Sequence, residues 1–216
     1  MAHRRFAALL LGVLGIRLLR VFRRPVGALA REHCDRDVLF RLLSEPEARS
    51  AFADVELGIP EAFVRAAYGR GDVCMAALEN ERVLGYAWLT VGRSPHASGL
   101  WIEPHSGAAY LYDVFVRPEC RGKRIAPWLY VAVDRFLTQR GRRTLLSGID
   151  WDNEASIKAA LRAGAQEAGA VALIRIFGAH VAWCSRDASA SGLRFARPRR
   201  VRPQPVRPPG QASAIR

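Results

Sequence analysis

The hydrophobic pattern changes period several times along the chain, and each change predicts an element. Asp37–Leu43 and Glu45–Phe52 read as a helical region interrupted at Pro46, and Glu61–Tyr68, following Pro60, as a second helix stopped by Gly69, Gly71 and Asp72. Val73–Glu79 and Arg82–Val91 are β-rich runs around the polar pair Asn80-Glu81, the pattern of a hairpin. Gly92–Gly99 is loop-like, Trp101–Glu103 starts another strand, and Gly107 breaks it. Tyr110–Val116 (YLYDVFV) is the strongest strand candidate, and its apolar residues on both faces predict a central strand covered on each side. From Pro127 to Gln139, Leu129, Ala132 and Phe136 recur at helical spacing, and Gly141 ends the run. Thr144–Asp150 reads as a strand and Glu154–Ala163 as a helix closed by Gly164. Ala170–Phe177 and His180–Cys184 read as strands around Gly178. This order predicts an α/β fold, a mixed sheet with helices on both faces.

Charge divides the chain into three parts. Residues 1–31 hold seven Arg and no acid, and residues 186–216 hold eight Arg and the single acid Asp187. The stretch 32–185 carries 18 basic and 19 acidic residues, so the termini supply the entire net charge of +13. A neutral body argues against a folded nucleic-acid surface, although basic tails bind nucleic acid non-specifically. The segment 6–16 (FAALLLGVLGI) is apolar but shorter than the roughly 20 residues a spanning helix needs. Arg17, Arg20 and Arg24 fall on one face of a helix opposite Leu14, Leu18 and Val21. That arrangement suits a basic helix on an anionic membrane surface or a terminal helix packed on the domain. Beyond Ser185 the Arg/Pro-rich composition predicts a disordered tail. The predicted organisation is therefore a basic amphipathic segment (1–31), a folded domain (32–185) and a tail (186–216). Cys34, Cys74, Cys120 and Cys184 show no CxxC pair and no His at metal-ligand spacing, which argues against disulfides and zinc and for a reducing cytoplasm.

The segment that points to chemistry is 110–126, YLYDVFVRPECRGKRIA, a strand that ends in a basic loop and runs into the helix at Pro127. A helix N-terminus offers unpaired N–H groups and about half a positive charge, and proline suits the first helical position. Gly122 allows close backbone approach, and Arg121, Lys123 and Arg124 add cations, so the loop forms a cradle for a phosphate or pyrophosphate. GxxxxGK[ST] and GxGxxG are both absent, which excludes the nucleotide-triphosphatase loop and the dinucleotide fingerprint.

VFVRP (114–118) followed by RGKRIA (121–126) resembles the signature of the GNAT superfamily of N-acetyltransferases, a V-x-P-like strand end and then R/Q-x-x-G-x-G/A before a helix. Arg121 and Ala126 match, while Arg124 replaces the middle glycine, where a side chain is acceptable if the backbone keeps a negative φ. Asn153, Ser156 and Gly164 match a second, downstream pattern. The resemblance implies a mostly antiparallel central sheet and acetyl-CoA as cosubstrate. The pantetheine arm would pair with Val114, Phe115 and Val116, and the pyrophosphate would rest on Arg121, Gly122, Lys123, Arg124, Ile125 and Ala126. Asn153 would touch the coenzyme arm, and an amine would attack the thioester directly. It also implies a proton-donating Tyr seven residues after Asn153, where this chain has Ala160. Asp113 is the candidate general base, because a carboxylate in an apolar strand has a raised pKa. Glu103, His105, Tyr110 and Tyr112 are further candidates, and Trp88, His96, Trp101, Glu103 and His105 are candidates for lining an acceptor pocket. The alternatives are a coenzyme-binding domain without turnover and a basic nucleic-acid-associated protein. The expected location is cytoplasmic, with possible peripheral membrane contact through residues 1–31.

Overall fold

The computed structural model describes residues 15–28, 38–96, 99–176 and 179–197. Among these, eleven strands and five helices form one large sheet, one small sheet and their helical cover. The strands are β1 (Ile16–Pro25), β2 (Leu39–Leu43), β3 (Val73–Glu79), β4 (Arg82–Thr90), β5 (Ser94–Pro95), β6 (Trp101–Pro104), β7 (Ala108–Val116), β8 (Thr144–Asp150), β9 (Gln166–Ile176), β10 (Ala179–Cys184) and β11 (Leu193–Ala196). The helices are α1 (Glu45–Ala51), α2 (Glu61–Gly69), α3 (Ile125–Gln139), α4 (Glu154–Arg162) and α5 (Arg186–Ala190).

The large sheet runs β10-β9-β1-β8-β7-β4-β3-β2, antiparallel throughout except for the parallel pair β7–β8. Asn80 and Glu81 join β3 to β4 with φ of 48° and 65°, the two left-handed residues a tight hairpin turn requires. One face of the sheet packs Ala77, Ala87, Leu89, Ala109 and Leu111 against Ile125, Leu129, Val133 and Leu137 of α3. On the same face Phe22 of β1 packs against Ile157 and Ala160 of α4. The opposite face carries α1 and α2 over β3 and β4 at one end. At the other end it carries β6, α5 and β11 over β1, β8 and β9. The small sheet, ordered β11-β6-β5, belongs to this second cover.

Three expectations are overturned. Residues 16–25 are a strand inserted between β8 and β9, not a helix. Leu19 and Val21 alternate into the core on one face, while Arg17, Arg20 and Arg24 find carboxylates on β8, β9 and α3. Those partners lie more than 100 residues away along the chain, so the arginine spacing alone mimicked a helix. The folded domain consequently reaches back at least to residue 16, and residues 1–14 and 29–37 lie outside the described residues. Leu39–Leu43 is likewise an edge strand on β3, and the helix begins only after Ser44, with Pro46 in its first turn. The predicted tail, finally, starts with structure. Ser185 caps α5, Ala188 and Leu193 are buried, and β11 pairs with β6. Of that tail, residues 198–216 lie outside the described residues. Among the described residues no helix is long and apolar enough to cross a membrane.

Candidate active site

The site is built where β7 leaves β8. Parallel pairing runs from Ala108↔Thr144 to Leu111↔Ser147, after which β7 continues to Val116 and β8 to Asp150 without pairing to each other. On its other side β7 stays paired to β4, with Tyr112 opposite Trp88 and Val114 opposite Ala87, so Asp113 is an extra residue, a bulge with φ 50°. The Arg117 amide donates to Leu84 O on β4. Backbone direction alternates along a strand, so the amides of Val116 and Val114 point the other way, into the opening between β7 and β8. Gly85 makes this approach possible, since a Cβ there would stand 2.8 Å from Phe115 O.

Arg117 fixes the end of β7. It is buried, its Nε donates to Val83 O at 2.6 Å, and its guanidinium pairs with Asp54 and Glu56 in the turn between α1 and α2. The 3₁₀ turn Pro118–Cys120 follows, then Gly122 with φ 76° and Arg124 with φ 63°. Arg124 thus takes a left-handed conformation, so the condition of negative φ under which a side chain is easily accepted there is not met, and the strain costs about 1–2 kcal/mol. The loop must turn sharply to aim the α3 N-terminus outward, and that geometry overrides the residue's own preference. Pro127 is the third residue of α3 rather than its first, still within the turn where amides lack intrahelical acceptors.

A cleft of about 620 Å³ opens between this loop, α3 and α4. Of the residues singled out from sequence, Val116, Arg121, Gly122, Arg124, Ile125 and Ala126 line it. The others sit elsewhere. Val114 lies one step up the strand, Phe115 stacks on Tyr86 on the opposite face (5.5 Å, 22°), and Lys123 is exposed on the loop. Asn153 caps α4, its Oδ1 accepting from Ser156 N at 3.1 Å. Sequence reasoning missed Tyr130 and Val131 on α3, and Ala159, Arg162 and Ala163 on the last turn of α4 and just beyond. Their three- and four-residue spacing was visible, but not the fact that both helices face one cleft. Ala160 points into the core against Phe22 and Ile157, so α4 presents no phenol from that position.

Asp113 opens to solvent within mostly protein surroundings, and burial raises its carboxyl pKa. Its charge, second to burial, also raises the Tyr86 phenol and the Cys74 thiol, which places it towards the α2 face. Beside it, Tyr112 is half-buried and donates to Asp72 Oδ2 at 2.8 Å, where Arg70 (2.8 Å) and Ser94 (3.3 Å) also converge. Tyr110 is buried and pushed up to about 12 by that burial. Glu103 is paired with Arg93, whose guanidinium lies 5.4 Å from the Trp101 ring, and exposed His105 keeps Nδ1 at 2.7 Å from Ser106 O. Burial lowers His96 to about 4, and its ring meets Phe195 edge-on at 6.1 Å. Trp88, a candidate for the acceptor wall, is instead fully buried among Phe52, Phe63 and Tyr68. Among the described residues no group of three His, Cys, Asp or Glu could hold a metal.

The loop, with its outward amides, left-handed turn and open cleft, fits a diphosphate-bearing coenzyme arm. Solved structures share the fold. An acetyltransferase of the GNAT family from Colwellia psychrerythraea superposes with TM-score 0.52 at 18% identity, covering 71% of this chain and 54% of that one. A functionally unknown conserved protein from Staphylococcus epidermidis gives TM-score 0.52 at 15% identity, over 75% of this chain and 63% of that one. A GCN5-related N-acetyltransferase from Sphaerobacter thermophilus gives 0.50 at 17%, over 76% and 53%. The chain thus spans less than two thirds of each of these neighbours. No curated protein sequence matches it. The family model for "Acetyltransferase (GNAT) family" matches residues 39–165, more than half the chain and the whole run from β2 through the bulge, the loop and α4. On that match, and on a sheet that opens beside the loop as described, the chain belongs to the GNAT family of acetyltransferases.

Proposed function

We propose that this protein transfers an acetyl group from acetyl-CoA to a primary amine by direct attack in a ternary complex, with Asp113 taking the amine's proton. The observation that carries this reading is the bulge at Asp113, which lies where β7 parts from β8 and exposes a carboxylate of raised pKa towards the face opposite the cleft. When bound, the coenzyme supplies a thioester as the acyl source. Arg121, Gly122 and Arg124, with the N-terminus of α3, hold its diphosphate. The inward amides of Val114 and Val116 can hold the coenzyme arm and polarise the carbonyl, and losing one such donor typically costs about 3 kcal/mol. As the C–N bond forms and the C–S bond breaks, the nitrogen's proton passes to Asp113, and the departing thiolate takes its proton from water, since Ala160 offers none. The absent phenol favours one alternative, a domain that binds the coenzyme without turnover.

Calorimetry on the full chain, beside a variant with Arg121, Lys123 and Arg124 changed to Ala, tests the cradle. The variant loses most binding; no binding by the folded parent sinks the acyltransferase reading. A panel of amines followed by thiol release then tests turnover. In Asp113→Asn, kcat falls roughly 10²–10⁴-fold while acetyl-CoA affinity holds. The base works deprotonated, so the parent's rate falls as pH drops through the raised Asp113 pKa, and the variant lacks that limb. An unchanged kcat and pH profile would assign the proton to ordered water.

A further inference from the structure

The face of the sheet opposite the cleft is covered in two parts, α1 and α2 at one end and β6, α5 and β11 at the other, and Tyr112 of β7 packs against both. The seam between the covers therefore runs over β7 at Tyr112, one residue before the bulge at Asp113. Tyr112 stays half-buried there, as does Phe63 of α2, whose ring stands 6.3 Å from the Tyr112 ring at 69°. Both rings rest on buried aromatics, Phe63 edge-on against Trp88 at 5.3 Å and Tyr112 stacked on Tyr110 at 6.4 Å. The Tyr112 hydroxyl is engaged with buried Asp72, so this residue brings a ring to the seam rather than a free donor.

The carboxylates around the seam are already matched. Asp72 holds Arg70 at 2.8 Å, Asp54 and Glu56 hold Arg117, Glu103 holds Arg93, and Asp150 holds Arg17 at 2.6 Å. Asp113 has no cationic partner among the described residues, and it opens to solvent next to Tyr112. An amine entering here meets one uncompensated carboxylate and two aromatic rings. Its carbon body gains by leaving water against those rings. A second ammonium group would lose hydration without finding a counter-ion.

We propose that the acceptor is a monoamine with an aromatic body, its nitrogen at Asp113 and its ring held between Phe63 and Tyr112, and that polyamines are poor acceptors. This rests on the reading given under Proposed function and adds the substrate class to it. Phe63 and Tyr112 then determine specificity and take no part in bond making. Two rings that only close the core would change stability when altered and leave the ranking of amines as it was.

The test is steady-state kinetics on the full chain at saturating acetyl-CoA, with 2-phenylethylamine, n-butylamine and spermidine, for the parent, Phe63→Ala and Phe63→Leu. The parent's kcat/KM for 2-phenylethylamine is expected to exceed that for n-butylamine about tenfold, the strength of an aromatic contact, with spermidine last. Phe63→Ala raises the KM for 2-phenylethylamine about tenfold, to the level of n-butylamine, while kcat and acetyl-CoA affinity hold. Phe63→Leu keeps apolar volume against Trp88, and with it the fold, and shows part of the same loss. A parent that favours spermidine, or that treats the two monoamines alike, overturns the substrate class alone. So does a Phe63→Leu variant with the parent's full preference. A parent that binds acetyl-CoA and acetylates none of the three overturns the substrate class together with the proposed turnover, and one that does not bind acetyl-CoA overturns the acyltransferase reading as well.

Discussion

The two halves of the large sheet are held together differently. In the half β2-β3-β4-β7, consecutive antiparallel strands pair with near neighbours, and α3 covers them with an unbroken apolar stripe. In the half β8-β1-β9-β10, a strand from the N-terminal part of the chain is inserted between β8 and β9, and three of its four arginines, Arg17, Arg20 and Arg24, are matched by distant acids. Only four parallel pairs join the halves before β7 and β8 part. Across that weak seam Arg24 of β1 meets Asp134 of α3 at 2.8 Å, with both side chains at least 95% buried, while the Gly27 amide donates to Asp134 at 2.7 Å. The difference teaches that, once β7 and β8 part, the halves are joined by shared core packing and a buried ion pair rather than by continued strand pairing.

The largest expected effect comes from cutting that tie. Arg24→Ala leaves Asp134 charged and buried, and the unfolding free energy in denaturant is expected to fall by about 3–5 kcal/mol. Replacing both partners with apolar residues of similar size recovers most of the loss; a double variant as weak as Arg24→Ala contradicts the account. A smaller effect comes from crowding the first half at the bulge. The methyl of Gly85→Ala meets Phe115 O, a backbone atom that cannot swing away. It is expected to cost about 1–3 kcal/mol and to lower acetyl-CoA affinity, because it pushes β7 towards the opening. Full affinity in this variant would show that the course of β7 is not set by β4. The smallest effect concerns the loop. Arg124→Gly relieves a left-handed residue, so the unfolding free energy rises slightly, by under about 1 kcal/mol, while ligand affinity falls several-fold with the lost cation. A variant less stable than the parent would mean that the Arg124 side chain supports the loop.

Apart from β2, whose pattern reads as helical, the first half was legible because its information is local. The Asn80-Glu81 turn, the YLYDVFV strand and the stripe of α3 are carried by consecutive residues, and so is the order of strand, basic loop and helix. At the site, the loop residues lining the cleft were visible for the same reason. Arg162, Tyr130 and Ala159 were not, since nothing in their neighbourhoods says that α3 and α4 face one cavity. The φ of Arg124 was not legible, because residue preference yields to the direction a short loop must take.

By itself the sequence determined which segments pair locally, that a basic loop containing Gly122 follows the central strand and leads into a helix, and that the charge excess lies at the ends. The tertiary structure alone decided that Ile16–Pro25 is a strand, that Arg117 and Arg24 are buried among acids, and that Ala160 turns to the core. The physical reason is one of range. Hydrophobic periodicity and turn chemistry act within a few residues, whereas a charge can be buried only where folding brings its counter-ion, here from more than 50 residues away.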